Sequence, residues 1–334
     1  QVGNDVYTIN GARQRFLYEQ KWTQISNAYY FGTTGYTGIY EGQYPNYGVT
    51  WERANKYNMG LEFGVWNGKL SGVFDVFMED RNDILTAYLT RPEWVGVTMA
   101  AGNLGKTRNS GFELELKHAS FIGQDFSYNL GFSFSHARNE IVDMNEPDLK
   151  TEYRKREGHP IDQYFGLQAE GFVTAQDLAD PTFPISTYGN VQVGDLKYRD
   201  VNGDGFIDDR DEVAIGFSNI PENTYSFSLG ANYKGWGFSM MLQGVDKVSR
   251  YYDAEAMFGF VNGGKVKEHH LDRWNPSLSE AENLAQAKYP LLHYDNFGNH
   301  NQRLNSFFLQ NGAFLRLKNI ELSYTLPTVW TQSV

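Results

Sequence analysis

Residues 106–142 read KTRNSGFELELKHASFIGQDFSYNLGFSFSHARNEIV, and this stretch decides the fold. From Gly111 to His118 the residues alternate, with Phe112, Leu114 and Leu116 on one face and Glu113, Glu115 and Lys117 on the other. After a break at Ile122-Gly123-Gln124-Asp125 the alternation resumes. Phe126, Tyr128, Leu130, Phe132 and Phe134 oppose Ser127, Asn129, Gly131, Ser133 and Ser135. A period of two is a strand. The make-up of the faces says which kind. The apolar face of a soluble sandwich packs on a second sheet and mixes Val, Ile and Leu. Here a continuous row of Phe, Tyr and Leu backs onto small polar and charged residues. That is the outward-apolar, inward-polar pattern of an antiparallel transmembrane β-barrel, whose strands need about 10 residues to cross the hydrocarbon.

The same pattern recurs on both sides. Val49 to Trp66 alternates, with Tyr57, Met59, Leu61, Phe63 and Val65 against Asn58, Gly60, Glu62 and Gly64. Asn67-Gly68-Lys69 has the residues of a tight hairpin turn, and Leu70, Gly72, Phe74, Val76 and Met78 carry the next strand. Thr224 to Tyr233 and Trp236 to Leu242 form a further pair around a short turn, and Phe314 to Leu326 a last strand, with Ile320, Leu322, Tyr324 and Leu326 in phase. Arg15 to Ile25 reads as a first strand, followed by a Gly- and Tyr-rich loop from Phe31 to Gly48. The expectation is therefore an all-β chain with a partial wall of about eight long strands. Short turns alternate with long connections, as periplasmic turns and extracellular loops do. Residues 143–222 become one extracellular elaboration, with a small hairpin around Tyr164 to Val173. Residues 251–306 become a second, with a short helix near Ser279 to Lys288.

Composition agrees. Of 334 residues 16% are aromatic, with 22 Tyr and 23 Phe, which suits two interfacial girdles. Gly 34 against Pro 10 favours strands and tight turns. The absence of Cys excludes thiol chemistry and disulfides. A net charge of −11 argues against nucleic acid as a partner. A mean hydropathy of −0.52 fits a wide barrel, since half of each strand and most loop mass meet water. The chain stops shortly after Pro327 and reads as a piece of something larger.

One motif carries chemistry. Asp200-Val201-Asn202-Gly203-Asp204-Gly205-Phe206-Ile207-Asp208-Asp209-Arg210-Asp211 follows the calcium-loop pattern D-x-[DN]-x-[DN]-G. Asp200, Asn202 and Asp204 supply side-chain oxygens, Phe206 a carbonyl, Asp208 the ninth position and Asp211 the twelfth. A hard cation with about 6 to 8 oxygen ligands fits this set, so calcium is the expected ion. The last carboxylate is one methylene shorter than the usual Glu, which points to weak, extracellular-type affinity. No amphipathic helix flanks the loop, so its expected task is stiffening; the alternative is an Asx-rich turn without metal. His269-His270 with Asp272 reads as solvated loop, because neighbours on an extended chain point apart. Arg154-Lys155-Arg156, set among acids, reads as a solvated face. Trp274 could stack on a sugar ring or pack within a loop. No G-x-S-x-G elbow or triad appears, and an enzyme is not expected.

Several stretches together resemble the SusC/RagA family of TonB-dependent outer-membrane transporters. They are Trp51-Glu52 leading to residues 57–64 (YNMGLEFG), Asn109-Ser110-Gly111-Phe112-Glu113, Gly158-His159-Pro160-Ile161 with Tyr164-Phe165-Gly166, Gly194-Asp195-Leu196-Lys197-Tyr198 before the acidic loop, and residues 311–320 (NGAFLRLKNI). The resemblance implies the C-terminal part of a roughly 22-stranded, plugged barrel in the outer membrane. It also implies a SusD-like lipoprotein lid, energy delivered through TonB, and import of oligosaccharides or, in the RagA branch, peptides. Two other readings stand beside it: a siderophore or cobalamin receptor without a lid, and a calcium-stabilised surface adhesin. An adhesin would wash off with chelator or carbonate, whereas a barrel needs detergent.

Overall fold

The computed structural model describes residues 7–9, 12–14, 16–89, 96–147, 151–261, 264–294 and 300–327. They divide into two compact units, one of Gln1–Ser120, Asn129–Lys150 and Lys155–Ile161, the other of Phe121–Tyr128, Thr151–Arg154 and Asp162–Val334.

In the first unit β1 (Lys21–Phe31) and β2 (Thr34–Tyr44) form a hairpin, and Thr98–Met99 runs parallel to the end of β2. β3 (Arg53–Val65), β4 (Leu70–Thr86), β5 (Gly102–Ile122) and β6 (Phe126–Asp143) lie side by side in that order. The β3–β4 turn is the expected one. Lys69 donates to the Trp66 carbonyl, and Asn67 (φ 54°) and Gly68 (φ 81°) take the positive φ that a type I′ turn requires. Register then sets the faces. Met59 lies opposite Val76 and Val76 opposite Phe112; Leu61, Phe74 and Leu114 form the next row. Phe74, Phe112 and Phe134 make a ring-to-ring line across three strands, with centroids 6.1 and 5.6 Å apart. On the other face Gly60, Asp75 and Glu113 are neighbours.

The band is bounded. From Leu70 to Met78 the apolar phase spans eight steps, about 27 Å along the strand and about 20 Å once tilted by roughly 40°. Above it the same phase turns polar: Arg108 bonds Asp80 at 2.7 Å, and Arg53 pairs with Asp83 at 2.7 Å. At the short-turn end sit Trp66 and Phe121, in the place of an interfacial girdle.

In the second unit β7 (Asn223–Tyr233), β8 (Trp236–Asp246) and β9 (Phe314–Tyr324) are antiparallel in that order. Lys234 and Gly235 make the turn, and the rings of Trp236 and Tyr324 meet beside it at 4.8 Å. Two glycines sit beneath rings on the apolar face: a Cβ on Gly72 would overlap Phe63, and one on Gly244 would overlap Tyr225, each ring belonging to the directly opposite residue. An aromatic covering a cross-strand glycine pins register. Among the described residues the outer edges of β3 and β9 pair with no further strand, as in a segment cut from a wall.

Among the described residues no second sheet covers the apolar rows. Met59 is 78% exposed and Leu322 69%, while the buried cores are elsewhere: Leu17, Ala100 and Ala101 in the first unit, and in the second a cluster drawn from the long loops. Rows of Phe, Leu and Met left open at this length need an apolar solvent.

Two expectations need correction. Among the described residues there are nine strands of eleven residues or more, one more than expected, because β1 is shifted to Lys21–Phe31 and Thr34–Tyr44 is itself a strand, β2. Its glycines, which read as loop punctuation, make room for the side chains of Asn27, Ala28 and Thr23 across the ladder. Near Tyr164–Val173 no hairpin forms. Phe165–Gly166 pairs with Val213–Ala214, and Ala169–Phe172 with Leu196–Tyr198. β9 keeps the expected phase from Ile320 to Tyr324 and shifts it before Asn319. Asn319 lies opposite Met241 but Leu317 opposite Leu242, so Lys318 is the extra residue of a bulge. That residue brings Leu315 and Leu317 into line with Ile320 and Leu322.

Candidate functional site

The long loops of the second unit fold together. Leu167, Leu196, Tyr198 and Ile207 from the first loop pack with Phe258, Tyr289 and Phe308 from the second in one buried cluster. The helix Glu280–Gln286 forms as expected, with Ser279 as N-cap: its hydroxyl accepts from Glu282 N–H, and the Glu282 carboxylate accepts from Ser279 N–H. Trp274 is buried and lies across Gly194, so it packs the loops together and presents no open face to a sugar.

A polar lock sits beside this cluster. Asp195 is 1% exposed, and its Oδ1 accepts from His293 Nε2 at 2.6 Å and Asn301 Nδ2 at 2.8 Å, while Oδ2 accepts from Gln192 N–H at 2.8 Å. His300, also buried, donates from Nε2 to the Leu196 carbonyl at 2.7 Å, and its Nδ1 accepts from the Ser186 hydroxyl at 2.8 Å. The network thus fixes a neutral tautomer. Burial pushes the His300 pKa down, because a cation there would lose its hydration. The side chains of Asp195, His293, Asn301, His300 and Ser186 did not stand out in the sequence as a network, although Asp195 belongs to a stretch that carried the family resemblance.

The acidic loop is an ordered turn. The Asp200 carboxylate accepts from Gly203 N–H at 2.7 Å and Gly205 N–H at 2.8 Å; Asn202 Oδ1 accepts from Asp204 N–H at 2.8 Å, and Asp204 Oδ1 from Phe206 N–H at 3.0 Å. Gly205 takes φ 81°, the sharp bend that the pattern demands of it. Arg210 forks onto Asp208, with Nη2 at 2.6 Å and Nε at 2.9 Å, and reaches Asp204 at 2.7 Å. The guanidinium beside Asp208 holds its carboxyl below the usual carboxylate range. Asp211 is fully buried and accepts from Val201 N–H and Asp208 N–H, both at 2.9 Å. Asp209 faces away and accepts from Tyr188 Oη at 2.7 Å and Arg303 at 2.6 Å, tying the loop to the second long loop. Among the described residues no three His, Cys, Asp or Glu side chains converge as a metal-ligand set. The oxygens of Asp200 and Asn202, at loop positions 1 and 3, keep lone pairs beyond their N–H contacts, as does Oδ1 of Asp204, whose Oδ2 is taken by Arg210 and the Asn202 amide. Those of Asp208 and Asp211 are engaged by Arg210 and by backbone.

His269 and Asp272 are exposed, as expected of a solvated loop, but His270 is not. His270 is buried, its Nδ1 accepting from Lys267 N–H at 2.8 Å and its Nε2 donating to the Met257 carbonyl at 2.9 Å. Burial lowers its pKa too. It is a satisfied structural histidine.

Strands with one lipid-type face, short aromatic-flanked turns and long folded loops narrow the field to outer-membrane barrels. The family model described as "TonB dependent receptor-like, beta-barrel" matches residues 18–331. The chain belongs to that family. Its relatives include TonB-dependent receptor P26 of Formosa agariphila, 26% identical over 87% of this chain, and TonB-dependent receptor SusC of Bacteroides thetaiotaomicron, 25% identical over 90%. Among solved structures the RagAB peptide transporter aligns over 95% of the chain with TM-score 0.63 at 21% identity, a likeness of fold. The chain spans 29% of those two relatives and 33% of the RagAB chain. As a TonB-dependent receptor barrel it resides in the outer membrane, and its relatives are receptors, not enzymes. The adhesin reading falls with the family match.

Proposed function

We propose that this chain is part of an outer-membrane importer of nutrient oligomers, oligosaccharides or peptides, energised through TonB and capped by a SusD-like surface lipoprotein. The observation that supports it most is the pairing of a lipid-facing wall with outer loops that share a core of their own. A channel for small solutes needs no such folded mass at its mouth. A partner that opens and closes over the barrel needs a firm surface to seat on, and the joined loops supply one. The wall strands contribute a polar face, with Glu62, Asp75, Glu113 and Glu115 among glycines and serines, to whatever fills the lumen.

The test is uptake. Cells with the intact gene should accumulate labelled oligomer only when TonB is present, and a surface lipoprotein should co-purify with the transporter from native membranes. Uptake of a siderophore or cobalamin instead, with no lipoprotein, would favour the runner-up.

Calcium is the second element of the proposal. Asp200, Asn202, Asp204 and the Phe206 carbonyl would hold the ion, with Asp208 joining once Arg210 swings away and Asp211 bracing the loop from within. Replacing Asp200 and Asp204 by Asn should make the outer loop more protease-sensitive and abolish any protection by calcium, with the wall still folded. Equal cleavage of the natural protein with and without chelator would count against the ion.

A further inference from the structure

The second long loop carries a cleft of about 340 Å³ that opens beside the shared loop core, on which its Leu292 packs. Phe260, Val266, Leu271 and Leu292 give it apolar walls, and Lys267 and Arg273 flank it. Leu271 is 74% exposed, and at the rim Tyr294 is 85% exposed with its ring edge-on to Phe260 at 5.3 Å. Phe260 itself has φ 64°, a left-handed conformation that a bulky residue adopts only when its surroundings impose it. Strain and open apolar surface at one place mark a site that waits for a partner.

The charges say which partner. Among the described residues neither Lys267 nor Arg273 pairs with a carboxylate; Arg273 only donates to the His270 carbonyl, at 3.4 Å. Of the two acids of the adjoining turn, Asp272 is engaged by Lys288 at 3.3 Å and Glu268 is exposed. His270 has both ring nitrogens satisfied and offers nothing. The cleft therefore sets two cations that lack a carboxylate partner among the described residues against an apolar interior. A neutral sugar would find few acceptors for its hydroxyls here and would leave the cations uncompensated. A carboxylate attached to an apolar side chain meets both demands.

We propose that this cleft binds the C-terminal residue of a peptide, the apolar side chain entering between Phe260 and Leu271 and the α-carboxylate resting between Lys267 and Arg273. The assignment rests on the import reading for its purpose, and it narrows the cargo of that reading towards peptides. Binding is tested on the full-length detergent-solubilised transporter by calorimetric titration with acetyl-Gly-Gly-Leu as free acid, with its C-terminal amide, and with maltoheptaose. The acid is expected to bind at least tenfold more tightly than the amide, because an ion pair replaces a neutral contact. Arg273→Gln and, separately, Lys267→Gln should bring the acid down towards the amide, while Leu271→Ser should weaken both ligands alike. Equal binding of acid and amide, no binding of the acid, an acid preference that survives both cation replacements, or displacement of the peptide by the glycan would each overturn the assignment. None of these outcomes touches the uptake experiment, so the site can fail while import stands.

Discussion

Asp195 shows at the residue scale how the long loops are held. A buried carboxylate is costly unless its hydrogen bonds are made, and here three donors from two loops make them. Asp195→Ala should strand all three donors and cost roughly 3–5 kcal/mol of loop stability. Hydrogen exchange would show it as lost protection over residues 165–216 with the wall strands unchanged. His300 adds a pH dependence whose sign follows from its lowered pKa. The unfolded chain binds a proton near pH 6.5 and the folded site resists it, so the stability His300 supports is present above that value and declines as pH falls. The expected slope is about 1.4 kcal/mol per pH unit between the two pKa values. Loop protection in His300→Gln should be flatter with pH than in the natural protein; identical profiles would remove His300 from the account.

Elements of the wall depend on phase, and β9 is where phase is corrected. Lys318 shifts the strand by one residue, which keeps Leu315 and Leu317 on the same side as Ile320 and Leu322. Deleting Lys318 should turn Leu315 and Leu317 to the polar face and expose Arg316 to lipid, since a one-residue slip inverts every side chain beyond it. Cysteines placed at positions 315 and 316 would report it: a lipid-soluble maleimide should label 315 in the natural strand and 316 after the deletion. This bulge was legible in hindsight, because Leu315 and Leu317 are odd-numbered while Ile320, Leu322 and Tyr324 are even. The strands with unbroken alternation were read correctly because period two survives whatever the strand pairs with. β2 was missed because Gly35, Gly38 and Gly42 break the alternation, their purpose being visible only from the neighbouring strand. The loop pairings were beyond reach for another reason. Leu196–Tyr198 is a plausible strand, but nothing local says that it pairs with Ala169–Phe172 instead of closing a hairpin. Asp195 and His293 are likewise 98 residues apart in sequence.

At the scale of the molecule the family match and the faces of the strands make one statement: lipid, not protein, solvates the rows of Phe, Leu and Met. The charge of −11 then lies on the polar face, the rim and the loops, where water reaches it. Spin labels placed one at a time from Gly111 to His118 in the full-length protein, reconstituted in lipid vesicles, test this most directly. Collisions with oxygen should peak at positions 112, 114 and 116 and those with a water-soluble nickel chelate at 113, 115 and 117, two curves of period two in opposite phase. Nickel access at 112 and 114 equal to that at 113 and 115, or low access of both reagents at 112, 114 and 116, would contradict a lipid-facing wall.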